Sequence, residues 1–353
     1  MTSRERFRTT LSRREPDRLP LCEICFWPET VQRWHTEGLP EDQDPATFLG
    51  LDALTMLSGD FSLRLPVELL EETEAWKIER DADGTTHKVW KTNYAPPSEL
   101  DHLLKTREDF ARYRDRLLPT ADRVAASVPQ AIRDAREQGA FCTFNPGEPV
   151  WWTLRTLGME QGLMTLAEDP AFFEEMVAAH AELTLAVLRE LLASGEKPDA
   201  LWFFSDLCYR NGMFFSPRSY RQLMLPYHQQ FARLCHDNDM FLILHCCGGA
   251  TNFVPLLIEA GFDCIQPLEA RAGCDVRELK PLYGDQITFF GNIDNDVLAR
   301  GDRAEIREEV TSKVLAAKPG GGYIWHSDHS VPPTVSFASY RYAVELAKEY
   351  GQY

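Results

Sequence analysis

The sequence predicts an α/β fold, a single (β/α)8 barrel over residues 1–353 with an N-terminal extension and a β-hairpin insertion. From about residue 140 onward, short apolar runs alternate with helical patterns, and most of the runs end at polar residues. Strands that alternate with helices indicate a parallel sheet, and this many units favour a sheet closed into a barrel. The length suits one large barrel with insertions, although two average domains would also fit it.

The barrel is predicted element by element. The predicted strands are 18–26, 51–57, 141–144, 200–204, 241–244, 264–266, 287–290 and 322–325. The predicted helical segments are 151–193, one that starts at Ser216-Pro217, 252–260 and 337–350. Alternating residues flank Asp83-Gly84, which is a strong turn signal, so we predict a hairpin insertion near residues 74–92.

The charge of the chain limits its partners. It has 37 Lys and Arg against 54 Asp and Glu, a formal net charge of −17, which argues against nucleic acid or an anionic membrane. No apolar run approaches membrane-spanning length, and residues 1–8 lack the apolar core of a signal peptide. We therefore expect a cytoplasmic protein with a small-molecule substrate, whose nine cysteines are reduced thiols.

The segment from Phe241 to Gly249 is the most informative part of the chain. A buried strand ends at His245, and Cys247 stands two residues further on. On an extended backbone the two side chains point the same way, so an imidazole and a thiolate can form half of a zinc site. Cys246 faces the other way and is predicted to be a buried core residue. The alternative to zinc is a polar pocket in which the histidines form hydrogen bonds.

A catalytic zinc site takes three protein ligands and leaves one position open, so a third ligand must come from another loop. His329, which follows the last predicted strand, is the first candidate, and His326 is the second. Cys22 and Cys25 are three residues apart on a strand and face opposite sides, so we predict core thiols there instead of ligands.

Further polar residues follow the other strands and should converge on one mouth of the barrel. The predicted catalytic residues are Asp206 and Asp328, either of which could orient an imidazole, and the predicted substrate-binding residues are Asn145, Tyr209, Asn292 and Asp294. Structural alternatives remain for three of them: Asp206 and Asp294 could cap helices, and Asn292 could hold a turn. We expect Asp206, His245, Cys247, Asn292 and His329 to line one cavity.

Several motifs together resemble the uroporphyrinogen decarboxylase superfamily, which also contains zinc-dependent cobalamin and coenzyme M methyltransferases. The motifs are Asn145-Pro-Gly-Glu-Pro149, Phe204-Ser-Asp206 with Ser216-Pro217, His245-Cys-Cys247-Gly248, Phe290-Gly-Asn-Ile-Asp294 and Ser327-Asp-His329 with Pro332-Pro333. The resemblance covers nearly the whole chain and implies a distorted (β/α)8 barrel.

Two departures from the family pattern matter. Decarboxylases of this family carry arginines near the N-terminus that receive substrate carboxylates, whereas Cys22–Glu29 contains no arginine. The methyltransferases use His-x-Cys and a later cysteine, and here His329 stands where that cysteine is expected. The resemblance then implies a site with two histidines and one cysteine.

Three functional hypotheses follow. The leading one is a zinc-dependent methyltransferase-like enzyme that activates a thiol or hydroxyl for methyl transfer to or from a corrinoid on a partner protein. The first alternative is a metal-free decarboxylase or related lyase acting on a tetrapyrrole, with Asp206 on pyrrole NH groups, His329 on a carboxylate and a basic cleft formed by Arg64, Arg210 and Arg271. The second is a non-catalytic barrel that binds a corrinoid or a metabolite, which a closed, apolar mouth would favour.

Overall fold

The structure is a computed structural model that describes residues 1–91 and 97–353. The strands are β1 Leu54–Ser58, β2 Glu68–Glu72, β3 Trp76–Arg80, β4 Thr85–Trp90, β5 Ser98–His102, β6 Phe141–Asn145, β7 Ala200–Phe204, β8 Cys208–Tyr209, β9 Gly212–Met213, β10 Phe241–His245, β11 Cys264–Gln266, β12 Thr288–Phe290 and β13 Tyr323–Ile324. The helices are α1 Ser3–Leu11, α2 Pro28–Thr36, α3 Pro45–Phe48, α4 Arg107–Tyr113, α5 Val128–Glu137, α6 Pro149–Leu157, α7 Met159–Glu168, α8 Pro170–Ala193, α9 Pro217–Leu223, α10 Leu225–Asp237, α11 Val254–Ala260, α12 Val276–Tyr283, α13 Asn295–Arg300, α14 Arg303–Ala317 and α15 Phe337–Tyr350.

Seven of the strands form one parallel sheet, in the order β1-β6-β7-β10-β11-β12-β13. Outside the edge strand β1, where Met56 is 44 % exposed, most of their apolar residues are buried on both faces, as in parallel sheets covered by helices. Helix α1 closes the amino-terminal end of the sheet, where Phe7 stacks on Phe141 with ring centroids 4.7 Å apart. This arrangement confirms the predicted distorted barrel and its N-terminal extension.

The predicted first strand at residues 18–26 takes the eighth position of the barrel without forming a regular strand. Leu21 makes a parallel bridge to Trp325 beside β13, and its carbonyl accepts the Asp52 N–H, 2.7 Å away, just before β1. The segment therefore connects the two edges of the sheet. Pro20 has no N–H to donate, which limits the pairing of this segment to single bridges.

The predicted hairpin is confirmed as β3 and β4, which pair antiparallel around a turn at Asp83-Gly84. Thr92, the last residue of the predicted hairpin, lies outside the described residues. The insertion is larger than predicted, because β2 and β5 extend it to a four-stranded sheet. Every residue of β2 is exposed, so its sequence has no alternation between buried and exposed positions that would reveal a strand.

The long helical segment predicted over 151–193 is wrong as one unit, since the structure has three helices there. Gly158 separates α6 from α7 with a φ of 84°, a conformation that a helix interior does not contain. Pro170 then begins α8, and Asp169 caps it by accepting the Phe172 N–H. The apolar periodicity of the sequence continues across both breaks, so it predicts one long helix in place of three.

Two further predictions from the sequence concern membrane-spanning segments and the state of the cysteines. Among the described residues, no helix has the length and apolar character needed to cross a membrane. All nine cysteines are free thiols, and seven of them are buried.

Candidate metal centre

Three potential metal ligands meet where two neighbouring strands end. His245 is the last residue of β10, Cys247 follows it, and Asp206 follows β7, which lies beside β10. The ligand atoms of the three residues all lie within 4.8 Å of one another. His245 Nε2 is 3.3 Å from Cys247 Sγ and 3.6 Å from Asp206 Oδ1. A nitrogen, a sulfur and a carboxylate oxygen in this arrangement are a suitable donor set for zinc.

The third member of this group is Asp206, not the predicted His329. The side chain of His329 is exposed and lies outside the group. A ligand role for His329 stays a prediction. Cys246 is fully buried, in agreement with the prediction that it faces the core.

The ring of His245 is held on both sides. Phe204 stacks on it with centroids 4.9 Å apart, and Gln266 Oε1 lies 2.6 Å from its Nδ1. Burial lowers the pKa of His245 below its ordinary value, although Asp206 and Gln266 oppose this effect. A neutral imidazole that binds a partner through Nδ1 leaves Nε2 available as a metal ligand.

The surroundings of Cys247 would stabilise a bound cation. Burial raises the pKa of its thiol far above the ordinary value, and the carboxylates of Asp206 and Glu269 raise it further. In such surroundings the thiol stays protonated and is a weak nucleophile and ligand unless a cation stabilises the thiolate. The donor set and its excess of negative charge therefore fit a divalent metal ion.

A network of buried polar side chains lies behind His245 and includes Gln266, His326 and Glu23. Gln266, the last residue of β11, pairs with His245 in the sheet register and also approaches His326. His326 Nε2 lies 3.1 Å from Glu23 Oε2, and both side chains are fully buried. Burial lowers the pKa of His326 to about 3 and raises that of Glu23 to about 8. His326, the second candidate for the third ligand, lies outside the metal-ligand group.

Asp328, a predicted catalytic residue, connects two loops through its side chain. Its Oδ2 accepts the Ala270 N–H and its Oδ1 accepts the Asn295 N–H, both at 3.1 Å. Burial raises its pKa to about 6. These contacts hold the loop after β11 against the start of α13, and a catalytic role for Asp328 stays a prediction.

Three predicted substrate-binding residues have structural roles in the fold. Asn292 is fully buried and donates through Nδ2 to the carbonyls of Leu268 and Cys274, each 2.8 Å away. Asp294 caps α13, and Asn145 accepts the hydroxyl of Thr143. The turn-holding alternative for Asn292 and the capping alternative for Asp294 thus describe what these side chains do in the structure.

A pocket of about 300 Å³ opens beside the candidate ligands. It is lined by Asp206, Cys208, Tyr209, Arg210, Cys247, Gly248, Glu269 and Arg271. Tyr209, a predicted substrate-binding residue, is 47 % exposed there. Of the five residues predicted to line one cavity, Asp206 and Cys247 line this pocket together with Tyr209, whereas His245, His329 and the buried Asn292 are not part of its lining.

The fold and the site define a parallel α/β barrel with a polar site at the carboxyl ends of its strands. The chain belongs to the uroporphyrinogen decarboxylase (URO-D) family, whose model matches residues 152–350, more than half of the chain. A methyltransferase from Methanosarcina mazei has the same fold, with 16 % sequence identity, a TM-score of 0.64 and coverage of 99 % of both chains. Comparison with curated protein sequences gives no significant match.

Proposed function

We propose that this protein is a zinc-dependent, methyltransferase-like enzyme in which Asp206, His245 and Cys247 hold the metal. The observation that carries the proposal is the meeting of three donor atoms within 4.8 Å at the edge of an open pocket. Bound zinc would supply an electrophilic position at which a thiol or hydroxyl loses its proton near neutral pH.

The protein groups have separate tasks in this proposal. His245 presents Nε2 while Phe204 shields one face of its ring. Cys247 and Asp206 supply two negative charges, which balance a divalent ion without further protein ligands. The Asp206 side chain is 45 % exposed, so it lies at the border between the metal site and the pocket where a substrate would enter.

The methyl group requires a second participant, and we propose a corrinoid carried by a partner protein. A pocket of about 300 Å³ has room for a small thiol or alcohol but cannot enclose a corrinoid. The corrinoid would therefore meet the substrate at the mouth of the pocket. Support for methyl transfer comes from the Methanosarcina mazei methyltransferase, which has the same fold over its whole length.

The tetrapyrrole lyase remains the alternative, because Arg210 and Arg271 line the same pocket. Asp206 and Glu269 line it as well, so the positive and negative charges balance and do not favour a substrate with many carboxylates. Arg64, the third arginine of the predicted basic cleft, is bound to other carboxylates, those of Asp60 and Asp122. The second alternative, a non-catalytic binding barrel, would be favoured by a closed, apolar mouth, whereas the pocket of this protein is open and polar.

The proposal is tested by the metal content of protein purified without chelator. We expect about one zinc per chain in the unmodified protein and in Cys246→Ser, and loss of most of the zinc in Cys247→Ser and Asp206→Asn. Cys246→Ser is the matched control, since it removes a neighbouring thiol that faces the core.

A His329→Phe variant separates the two candidates for the third ligand. If Asp206 is the ligand, His329→Phe retains zinc; if His329 is the ligand, this variant loses zinc and Asp206→Asn keeps it. Protein without zinc, or equal losses in Cys246→Ser and Cys247→Ser, would contradict the proposal and favour the lyase.

A further inference from the structure

A line of buried side chains connects His245 to backbone groups on the far side of the barrel mouth. Gln266 Oε1 lies 2.6 Å from His245 Nδ1, and Gln266 Nε2 lies 3.4 Å from His326 Nε2. His326 in turn contacts the carbonyl of Ser327 through Nδ1 and the N–H of Ile24 through Nε2. Gln266 and His326 have no exposed surface, so their polar atoms depend on these partners.

The two backbone groups determine the protonation of His326. A carbonyl can only accept a hydrogen bond, so His326 Nδ1, which faces the Ser327 carbonyl, must carry the proton. A backbone N–H can only donate, and the Ile24 N–H lies 3.2 Å from His326 Nε2. Both contacts require the same form of His326, protonated on Nδ1 and with a lone pair on Nε2.

The form of His326 then determines the orientation of Gln266. Because His326 Nε2 is an acceptor, the amide nitrogen of Gln266 must face it, and the amide oxygen must face His245. An amide oxygen accepts only, so Nδ1 of His245 must carry a proton. His245 Nε2 is left with its lone pair, on the side where Cys247 Sγ lies 3.3 Å away.

We propose that Gln266 and His326 are positioning residues that fix His245 in the tautomer whose Nε2 can bind a metal. The proposal deepens the proposed function and depends on it for its consequence, a preformed metal ligand. It makes a separate claim about the metal-free protein, since an unrestrained imidazole samples both tautomers.

Glu23 supports this arrangement from the other side of His326. Its Oε2 lies 3.1 Å from His326 Nε2, where a negative carboxylate would repel the lone pair. Burial raises the pKa of Glu23 to about 8, which keeps the carboxyl neutral at pH 7. Ser327 N–H and the Tyr340 hydroxyl donate to its Oε1 and hold it in place.

The test is nitrogen NMR of the metal-free protein labelled with ¹⁵N-histidine, with the His245 signal assigned by its loss in His245→Gln. The unmodified protein should show His245 protonated on Nδ1 and unprotonated on Nε2. Gln266→Met removes the amide at similar volume and should give a mixture of tautomers. His326→Phe, which frees the Gln266 amide to turn over, should do the same.

Zinc affinity provides the second measurement. We expect Gln266→Met to weaken zinc binding by about 10- to 100-fold, the usual effect of removing the partner of a ligating histidine. His326→Phe, which leaves the Gln266 amide free to turn over, should lower the zinc affinity in the same direction as it disturbs the tautomer. Gln230→Met, on the outer helix α10, is the matched control and should change neither quantity.

The outcomes separate this proposal from the proposed function. His245 protonated on Nε2 in the unmodified protein, or an unchanged tautomer in folded Gln266→Met, overturns the positioning role even if zinc is bound. The expected tautomer in a protein that binds no zinc supports the positioning role and contradicts the metal proposal alone. Circular dichroism identifies variants that fail to fold; if Gln266→Met is one of them, an unchanged tautomer in folded His326→Phe overturns the positioning role.

Discussion

At the scale of single residues, burial keeps the Glu23–His326 pair behind the site neutral and shifts the pKa of Asp328 in the same direction as that of Glu23. Removing water disfavours the charged form of any ionisable group, so acids and histidines shift in opposite directions. Accordingly the pKa of Glu23 rises to about 8 and that of Asp328 to about 6, while that of His326 falls to about 3. Glu23 and His326 are therefore mainly uncharged at pH 7, whereas Asp328 is mostly ionised there.

The raised pKa of Glu23 predicts a specific pH dependence of stability. In the unfolded chain a glutamate ionises near its usual value of about 4.3, but in the fold Glu23 keeps its proton up to about pH 8. Between these values the folded state binds the extra proton, so the Glu23 contribution decreases as pH rises, by up to about 1.4 kcal/mol per pH unit. Glu23→Gln, uncharged at every pH, should remove this decrease.

The measurement is the free energy of unfolding in urea at pH 5.5, 7.0 and 8.5. Glu23→Gln should gain relative to the unmodified protein as pH rises. Glu345→Gln, which alters an exposed carboxylate on α15, is the control and should follow the unmodified protein. Parallel curves for Glu23→Gln and the unmodified protein would show that Glu23 is ionised in the fold.

The sequence predicts His245 and Cys247 as metal ligands and places Asp206 in the same cavity, but without a ligand role. His245 and Cys247 share a face because strand alternation is a local property of the chain. Asp206 joins them only because β7 lies next to β10, and strand neighbours are not visible in residue spacing. For Asn292 the sequence predicts a substrate-binding role that the structure does not support. A polar residue after a strand can hold a turn or bind a substrate, and it is the burial of Asn292 that favours the turn.

At the scale of elements, a glycine controls how two strand ends meet behind the site. Gly291, directly after β12, has a φ of 132°, and a Cβ there would lie 1.7 Å from the carbonyl oxygen of Pro267. Pro267 follows Gln266, the residue proposed to orient His245. A side chain at position 291 would therefore displace the loop after β11 together with Gln266.

We predict that Gly291→Ala lowers the free energy of unfolding by roughly 3–5 kcal/mol, because a backbone atom must move as well as a dihedral angle. It should also weaken zinc binding by shifting Gln266. Gly301→Ala is the control: its φ is 74°, but the nearest atom to a new Cβ is Ser339 Oγ at 3.5 Å. It should cost about 1 kcal/mol and leave zinc affinity unchanged. Equal costs for both variants would contradict this role of Gly291.

The elements that the sequence predicted well are those with strong local patterns. The buried parallel strand β7 is a continuous apolar run, and its predicted bounds agree with the structure. The exposed strand β2 has no such pattern, and the junction at Gly158 interrupts a helix without interrupting its apolar face. Local periodicity thus identifies buried elements and misses exposed strands and helix breaks.

At the scale of the whole molecule, the barrel is joined at its seam by a buried carboxylate. The side chain of Asp52, which lies just before β1, is 1 % exposed. It accepts hydrogen bonds from Leu21 N–H at 2.9 Å and Arg18 Nη1 at 2.8 Å, and it also contacts Arg6 of α1. The first helix, the eighth barrel segment and the first strand therefore share one ionic contact.

We predict that Asp52→Asn lowers the free energy of unfolding by about 3–5 kcal/mol, because it leaves the buried guanidinium of Arg6 with one fewer counter-charge. Asp239→Asn is the matched control: Asp239 also pairs with an arginine of α1, Arg8, but its side chain is 76 % exposed, so the loss should be at most about 1 kcal/mol. The free energy of unfolding of both variants is measured in urea at low and at moderate salt concentration. If Asp52→Asn costs no more than Asp239→Asn, the seam is held by the apolar contacts of Leu21 and Trp325 and not by the carboxylate.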